Sequence, residues 1–420
     1  MTVTSERIAG GLVLRVLLPL AAGFFLSSFF RSLNAVLSPY LIADLDLSAR
    51  SLGLLTAVYF FTSAVFQAPL GLLMDRYGPR RVQSTLLAVA AVGTVMFALG
   101  HDTWVLVAGR AIMGIGAAGA LMTSFQAVVL WFPRSRWPVL NGWVMAAGGL
   151  GALTASLPAA LLLHVTTWRG LLLIAAAVSV GLCVAVLAIV PEHEESRPHG
   201  IGEQLRSLGR IYRDRLFWRL APVAMTISAS NLAFSGLWSG PWLKDVGGFG
   251  PDGIAVSLLF LTTFTTAGYV GTGAIASWLG RRGVRLTWVI GSAILASMLL
   301  QLPLLLPSTA GRWVVMFAIG AFNGASALSY PVLNAHFPAS LSGRVSTALN
   351  FCFFVGGFLI QYAIGVIISL FPQTAPGTYP ASAYQTAFGA MILIEFLSWL
   401  WFLIPAQPPI SAGPAAAPET

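Results

Sequence analysis

The sequence predicts an all-α membrane protein of twelve transmembrane helices arranged as two pseudo-symmetric six-helix bundles. Three observations carry that expectation: a composition too apolar for water, twelve apolar runs of spanning length, and basic residues gathered on one side of those runs. Of the 420 residues, 57% are hydrophobic and only 9% are charged. A soluble domain carries roughly 25% charged residues, so this chain has too little polar surface to face water, and lipid must be its solvent. The net charge of +9 follows from topology, as below, and does not point to nucleic acid. Cys183 and Cys352 both lie inside apolar runs, where inert free thiols are expected and a disulfide framework is not. The first apolar run, near Gly11 to Leu41, is too long for a signal peptide and lacks a small-residue cleavage site. It reads as the first span.

A spanning helix needs roughly 20 mostly apolar residues. Segments near 12–40, 51–74, 82–100, 103–131, 138–163, 169–191, 217–243, 253–279, 286–306, 312–336, 341–371 and 383–405 meet that standard. Lipid offers no partner to open backbone groups, so runs of this length must be helices. With the N-terminus placed in the cytoplasm, only Arg50, Arg169, Lys244 and Arg312 fall on the outer side. Arg31 and Arg110 lie deep inside spans, and the rest of the 23 basic residues fall on the inner side. That asymmetry follows the positive-inside rule and predicts that both termini are cytoplasmic.

The longest polar stretch runs from Pro191 to Phe217. Within it, Leu205, Leu208, Ile211, Leu216 and Phe217 form an apolar stripe between arginines. Such a piece reads as an interfacial linker helix on anionic lipid, with partner binding as the sharper alternative. The expected units are an N-terminal bundle at 1–191, a linker at 192–216, a C-terminal bundle at 217–405 and a disordered tail at 406–420. The halves look like weak copies. Gly71-x-x-x-Asp75-Arg76-x-Gly78-x-Arg80 recurs as Gly273-x-x-x-Ser277-Trp278-x-Gly280-x-Arg282, and Phe132-Pro133 recurs as Phe337-Pro338. Internal repeats around a central site are the architecture of many secondary transporters. The second copy has lost its acid, so a charge network at the inner gate should be stronger in the first half.

The first copy, Gly71-Leu-Leu-Met-Asp75-Arg76-Tyr-Gly78-Pro-Arg80-Arg81, is the most informative segment. It packs charges and two glycines between two spans, and it resembles the loop between the second and third helices of the major facilitator superfamily. Gly71 lets helices approach closely. Asp75 is placed to accept from neighbouring arginines and from the free amides opening a facing helix near Ser340. Gly71, Asp75, Arg76, Gly78 and Arg80 therefore read as a latch for the inner side, against the plainer alternative of a loop that only fixes orientation. Arg110-Ala-Ile-Met-Gly114-Ile-Gly116-Ala-Ala-Gly119 resembles the family's fourth-helix motif. There Gly114 and Gly116 supply a small-residue packing face, while Arg110 must face the interior or a wet cavity. Thr167-Trp168-Arg169 resembles the pair that opens the family's sixth helix. The Gly-Pro pair of its drug/proton antiporters is absent from the fifth span. Gly148-Gly149-Leu-Gly151 and Pro158 stand there instead.

Arg31 lies well inside the first span, about nine residues or roughly 13 Å from its outer end at 1.5 Å per residue. Arg110 lies roughly 10 Å from the outer end of the fourth by the same rise. In the family the first and fourth helices line the central cavity. Two guanidiniums without a nearby carboxylate repel, and an anionic ligand held bidentately would relieve that cost. The first-helix segment also resembles that of organic-anion and organophosphate members. The alternative is that Arg31 snorkels or bonds backbone carbonyls. The family's helix roles add Asn34, Gln126, Asn231, Trp238, Thr262, Thr266, Tyr269 and Asn323 as cavity candidates, each open to the alternative of helix–helix glue. Gly236, Gly240 and Pro241 around Trp238 suggest a bend at an outer gate.

Coupling is less legible. Among the first, fourth, seventh and tenth spans none holds an acid, Glu395 falls in the twelfth, His164 and His336 sit at span ends, and Asp44 and Asp46 are expected in the first outer loop. Proton symport and anion exchange both fit. No metalloprotease motif, nucleotide loop or nucleophile elbow occurs, so neither an enzyme nor a cofactor is expected. The reading is a transporter of a small solute, preferably an organic anion taken up by alternating access. It is expected as a monomer in a bacterial inner membrane, with the bilayer, the substrate and a co-transported proton as its partners. A drug or metabolite exporter is the same-class alternative, and a transporter-like sensor is the alternative from another class.

Overall fold

The computed structural model describes residues 11–133, 136–192, 209–338 and 341–404. Twelve helices in it are long and apolar enough to cross a membrane. They are α1 (Val13–Leu45), α2 (Ala49–Gly71), α3 (Arg76–Leu99), α4 (Thr103–Trp131), α5 (Leu140–Leu162), α6 (Trp168–Ile189), α7 (Arg215–Asp245), α8 (Pro251–Arg281), α9 (Leu286–Leu305), α10 (Arg312–His336), α11 (Arg344–Ser369) and α12 (Ala381–Leu403). Each coincides with an expected span. The ends differ where hydropathy is blind to capping. α1 runs on to Leu45 and closes at Asp46, whose φ of 48° is left-handed. Asp44 is therefore in the last turn of α1, and not in a loop. There its carboxylate accepts from Trp168 Nε1 at 3.2 Å and Arg169 Nη1 at 3.0 Å, pinning α6 to the end of α1. Polar caps set other starts: Ser48 for α2, Asp102 for α4, Thr167 for α6 and Asp214 for α7 each accept from a first-turn amide.

Glycine lets the helices approach within each half. A Cβ on Gly114 would stand 2.2 Å from Thr62 Oγ1 and 2.4 Å from the Tyr59 carbonyl on α2. One on Gly116 would meet the Ala90 backbone of α3 at 2.4 Å. The second half repeats the device, since a Cβ on Gly324 of α10 would reach the Gly268 carbonyl of α8 at 2.5 Å. With no hydrophobic drive between helices in lipid, such contact is what holds a bundle together. Gly148 and Gly151 of α5 press onto Phe24 and Phe25 of α1, while Gly149 faces Thr266 of α8.

The buried apolar residues show how the halves meet. One cluster contains members of both, including Phe30, Leu52, Phe60, Trp238, Ile364 and Tyr379. Its contacts between the halves gather at the end that carries the α1–α2 junction, while Val16, Leu20, Val186 and Val190 extend it within the first half to the opposite end. Toward the opposite end the clusters separate, one wholly in the second half around Phe217, Ile290 and Leu333 and two wholly in the first around Val128 and Leu86. The molecule is thus sealed at one end and parted at the other.

The expected linker falls mostly outside the described residues, as does the 406–420 tail. The described end of its stripe turns into protein, because Ile211 and Phe217 are fully buried in the second-half core.

Candidate functional site

Arg31 sits near the midpoint of α1. The extension of that helix to Leu45 places it fourteen residues, about 21 Å, from the sealed end. It is half-buried, and among the described residues its one hydrogen bond is from Nη2 to Ser28 Oγ at 3.2 Å. Among the described residues no carboxylate pairs with it. It interacts electrostatically with Tyr59 of α2 and, across the two halves, with Tyr269 of α8. Tyr269 is 39% exposed, and its hydroxyl accepts from Asn323 Nδ2 of α10 at 2.8 Å. A tyrosine that touches α10 and feels Arg31 of the other half faces the space between the bundles, so its exposure is to that space. Asn323 is 4% exposed, and its Oδ1 is left without a partner. Further along the same wall Tyr330 and Asn350, both half-buried, bond side chain to side chain. The sequence reading missed these two; a tyrosine and an asparagine inside apolar spans were the available signal.

Arg110 is placed differently. It is 2% exposed and packs over the rings of Tyr59 at 4.9 Å and Phe97 at 5.7 Å. Nη1 donates to the Phe30 carbonyl at 3.3 Å, while Nε and Nη2 have no partner. The two arginines share a level, but Arg110 stands behind Tyr59 and only Arg31 reaches the open space. Ring faces and one carbonyl replace part of the hydration a buried guanidinium loses.

Several other candidates are taken up by the packing. Asn34 Nδ2 donates to Thr56 Oγ1 at 2.9 Å, joining α1 to α2. Asn231 Nδ2 donates to the Ile319 carbonyl at 3.1 Å, joining α7 to α10. Thr262 bonds carbonyls of its own helix. Gln126 is half-buried near the parted end, with an unpartnered Oε1. Thr266 also bonds its own helix and lies against Gly149.

Trp238 closes the sealed end. It is 1% exposed, its Nε1 donates to the Gln361 carbonyl of α11 at 3.1 Å, and its ring lies over Gly53 of α2 and Gly365 of α11. The bend expected beside it is a π-helical turn, Phe234–Trp238, which turns α7 onto α1. A Cβ on Gly240 would lie 2.5 Å from the Ala35 carbonyl. Above the ring the 371–380 connection forms a cap: Asp245 accepts from the Tyr379 amide at 3.0 Å and the Tyr384 hydroxyl at 2.6 Å, and Tyr379 Oη accepts from the Ala49 amide at 3.3 Å. His164 and Asp252 join α5 to α8 at the rim, 3.0 Å apart and both exposed.

At the parted end α2 and α3 meet at Gly78, whose φ of +70° favours glycine. Among the described residues nothing lies within 4 Å of a Cβ on Gly71 or Gly78. Arg76 is exposed and stacks on Tyr77. Arg80 and Arg81 both reach Glu192 beyond α6, and Arg80 also donates to the Leu187 carbonyl. The Asp75 side chain and Ser340 lie outside what is described. In the second copy Arg282 stacks on Trp278 at 3.9 Å.

Sequence and structure comparisons agree with this architecture. The Major Facilitator Superfamily model matches residues 20–361, and the chain belongs to that family of membrane transporters. It is 22% identical to a protein named probable sulfoacetate transporter SauU of Cupriavidus necator, over 82% of this chain and 85% of that one. It is 26% identical to the gentisate transporter of Corynebacterium glutamicum, over 80% of this chain and 74% of that one. Proteins named as efflux transporters of Emericella nidulans and Aspergillus parasiticus also match, over 30% and 49% of this chain. Among solved structures, a bacterial homolog of the human lysosomal transporter Spinster in an inward-facing, unoccupied conformation superposes with a TM-score of 0.76 at 19% identity. It covers 92% of this chain and 95% of that one.

Proposed function

We propose that this protein carries a small organic anion across a bacterial inner membrane by alternating access, and that Arg31 anchors the anion. The carrying observation is the state of Arg31: a half-buried guanidinium at mid-helix, between the bundles, with one hydroxyl as partner. An arginine at the centre of a span costs about 2.5–3.5 kcal/mol on insertion scales, so an unpaired one marks a site that a ligand completes. The planar fork suits a carboxylate, sulfonate or phosphate. Tyr269, Asn323, Tyr330 and Asn350 offer hydroxyl and amide groups on the facing wall for the rest of the ligand. Two relatives matched over most of the chain are named for organic acids, sulfoacetate and gentisate, which supports the same class. The efflux reading rests on matches to half of the chain or less.

With both termini cytoplasmic, the parted end faces inward and the Trp238 seal faces outward. Release of an imported anion would then occur on the Gly71–Arg81 side. A monomer suffices, and proton symport and anion exchange both fit as coupling.

The test is uptake into proteoliposomes of radiolabelled small carboxylates and sulfonates. Substrates should compete with one another, and Arg31→Ala and Arg31→Lys should abolish uptake while the variants insert and melt normally. Full uptake by both variants would remove the anion site from Arg31. No flux of any solute would favour a sensor.

A further inference from the structure

Glu395 of α12 is 0% exposed. Its Oε2 accepts from Gln301 Nε2 of α9 at 3.2 Å. The same Nε2 donates to Ser297 Oγ at 3.1 Å, which uses both amide hydrogens. Two acceptors are then left over on this one pair of side chains: Glu395 Oε1 and Gln301 Oε1 have no partner. Ser230 of α7 stands within reach of the carboxyl, and its hydroxyl has no partner at ordinary hydrogen-bond geometry.

The ionisable groups of the helices packed on this site lie elsewhere. On α7, Arg219 bonds the Phe402 carbonyl, about 10 Å along α12 from Glu395. Asp245, beside Lys244, bonds Tyr384, about 16 Å the other way. On α9 the nearest is Arg285 before its first turn, and on α11 it is Cys352. Among the described residues none forms an ion pair with Glu395.

An ionised carboxylate here would be a buried charge with no cation, beside an amide oxygen that lacks a donor. One proton resolves both defects. An acid and a primary amide form a cyclic pair, in which the amide N–H donates to the acid carbonyl and the acid O–H donates to the amide carbonyl. The first of these bonds is present, and the two unpartnered oxygens are those the second requires.

We propose that Glu395 is a proton-binding site, holding a proton on Oε1 in an acid–amide pair with Gln301 when the molecule is sealed at the Trp238 end. The proton comes from water; an O–H bond forms and no other covalent bond changes. The site is fastened to the gating helix, since Ser398, one turn on from Glu395, bonds Thr226 of α7 at 2.8 Å, and α7 carries Trp238. A movement of α7 that tightened the Ser230 contact would stabilise the carboxylate and favour release of the proton. The inference does not depend on the anion site.

Infrared difference spectroscopy of the purified full-length protein, native against Glu395→Gln, tests it at neutral pH. The native protein should show a protonated-carboxyl carbonyl band that Glu395→Gln lacks. Absence of such a band in the folded native protein overturns the proposal. If Glu395→Gln does not fold, Gln301→Leu reads the same point. Loss of the amide partner should shift the acid band, and an unshifted band overturns the pairing. Anion uptake plays no part in these readouts, so a failure at Arg31 and a failure at Glu395 are told apart.

Discussion

Arg110 of α4 donates to the carbonyl of Phe30 of α1 at 3.3 Å, at the residue before the arginine that faces the interior. The bond ties the backbone under Arg31 to α4, where the Arg110 guanidinium lies over the Tyr59 ring and Arg31 interacts with the same tyrosine. On the proposed function, Arg110 positions the helix and Arg31 meets the ligand.

The two arginines should therefore separate on substitution. Replacing a buried charge by an apolar side chain of similar volume is often neutral or stabilising. Arg110→Met should remain folded, with ligand affinity within about threefold of native, or about 0.7 kcal/mol. Arg31→Met should fold and lose ligand. Thermal-shift titration measures both, because a ligand that binds only the folded state raises its apparent stability. A folded Arg110→Met that no longer binds would return Arg110 to the ligand site.

The seal should open in each transport cycle. A Cβ on Gly53 would lie 3.2 Å from the Gly365 Cα and 3.2 Å from the Trp238 ring, and one on Gly365 would lie 2.8 Å from the Ala49 carbonyl. The sealed state therefore leaves no room for a side chain at this crossing. Gly53→Val and Gly365→Val should disfavour the seal and cut transport while the variants still insert. Undiminished transport by both folded variants would sink the closure of one bundle against the other.

The glycines differ in sign. Gly114→Ala places a methyl 2.2 Å from Thr62 Oγ1 and 2.4 Å from a backbone carbonyl, and overpacking of this kind costs about 1–3 kcal/mol. Gly142 in α5 has nothing within 4 Å of a Cβ, so Gly142→Ala should stabilise by about 0.4–1 kcal/mol through the unfolded chain. Melting in one detergent should lower the first and raise the second. Equal shifts would refute the packing role of the fourth-helix motif.

The cap offers a local measurement. Tyr384→Phe removes a 2.6 Å hydrogen bond to the half-buried Asp245 and should cost about 1.5–3 kcal/mol, the range for bonds to charged groups. In an Asp245→Asn background the cost should shrink, as a double-mutant cycle would report. Additive effects would mean that the pair is not coupled.

The twelve spans, their pairing into halves and the glycine motif of α4 were legible in the chain, because lipid forces long apolar helices and close packing forces small residues. Side-chain destinations were not. Asn34, Asn231 and Thr262 look like ligand groups in a one-dimensional reading and prove to be bonds within or between helices. Trp238 looks like a cavity residue and is buried at the seal. Tyr330 and Asn350 were passed over, since nothing local separates a cavity wall from a packed face.

What the sequence determined alone is where the chain crosses the bilayer and that two arginines are buried at about one depth. Transfer free energy depends on composition along the chain, and this is read directly. Which arginine meets the interior, which acid lacks a cation and which end is closed were decided by tertiary structure. The helical period tells which residues share a face, but only the neighbours across the bundle decide whether that face meets a ring, a carbonyl, lipid or open space.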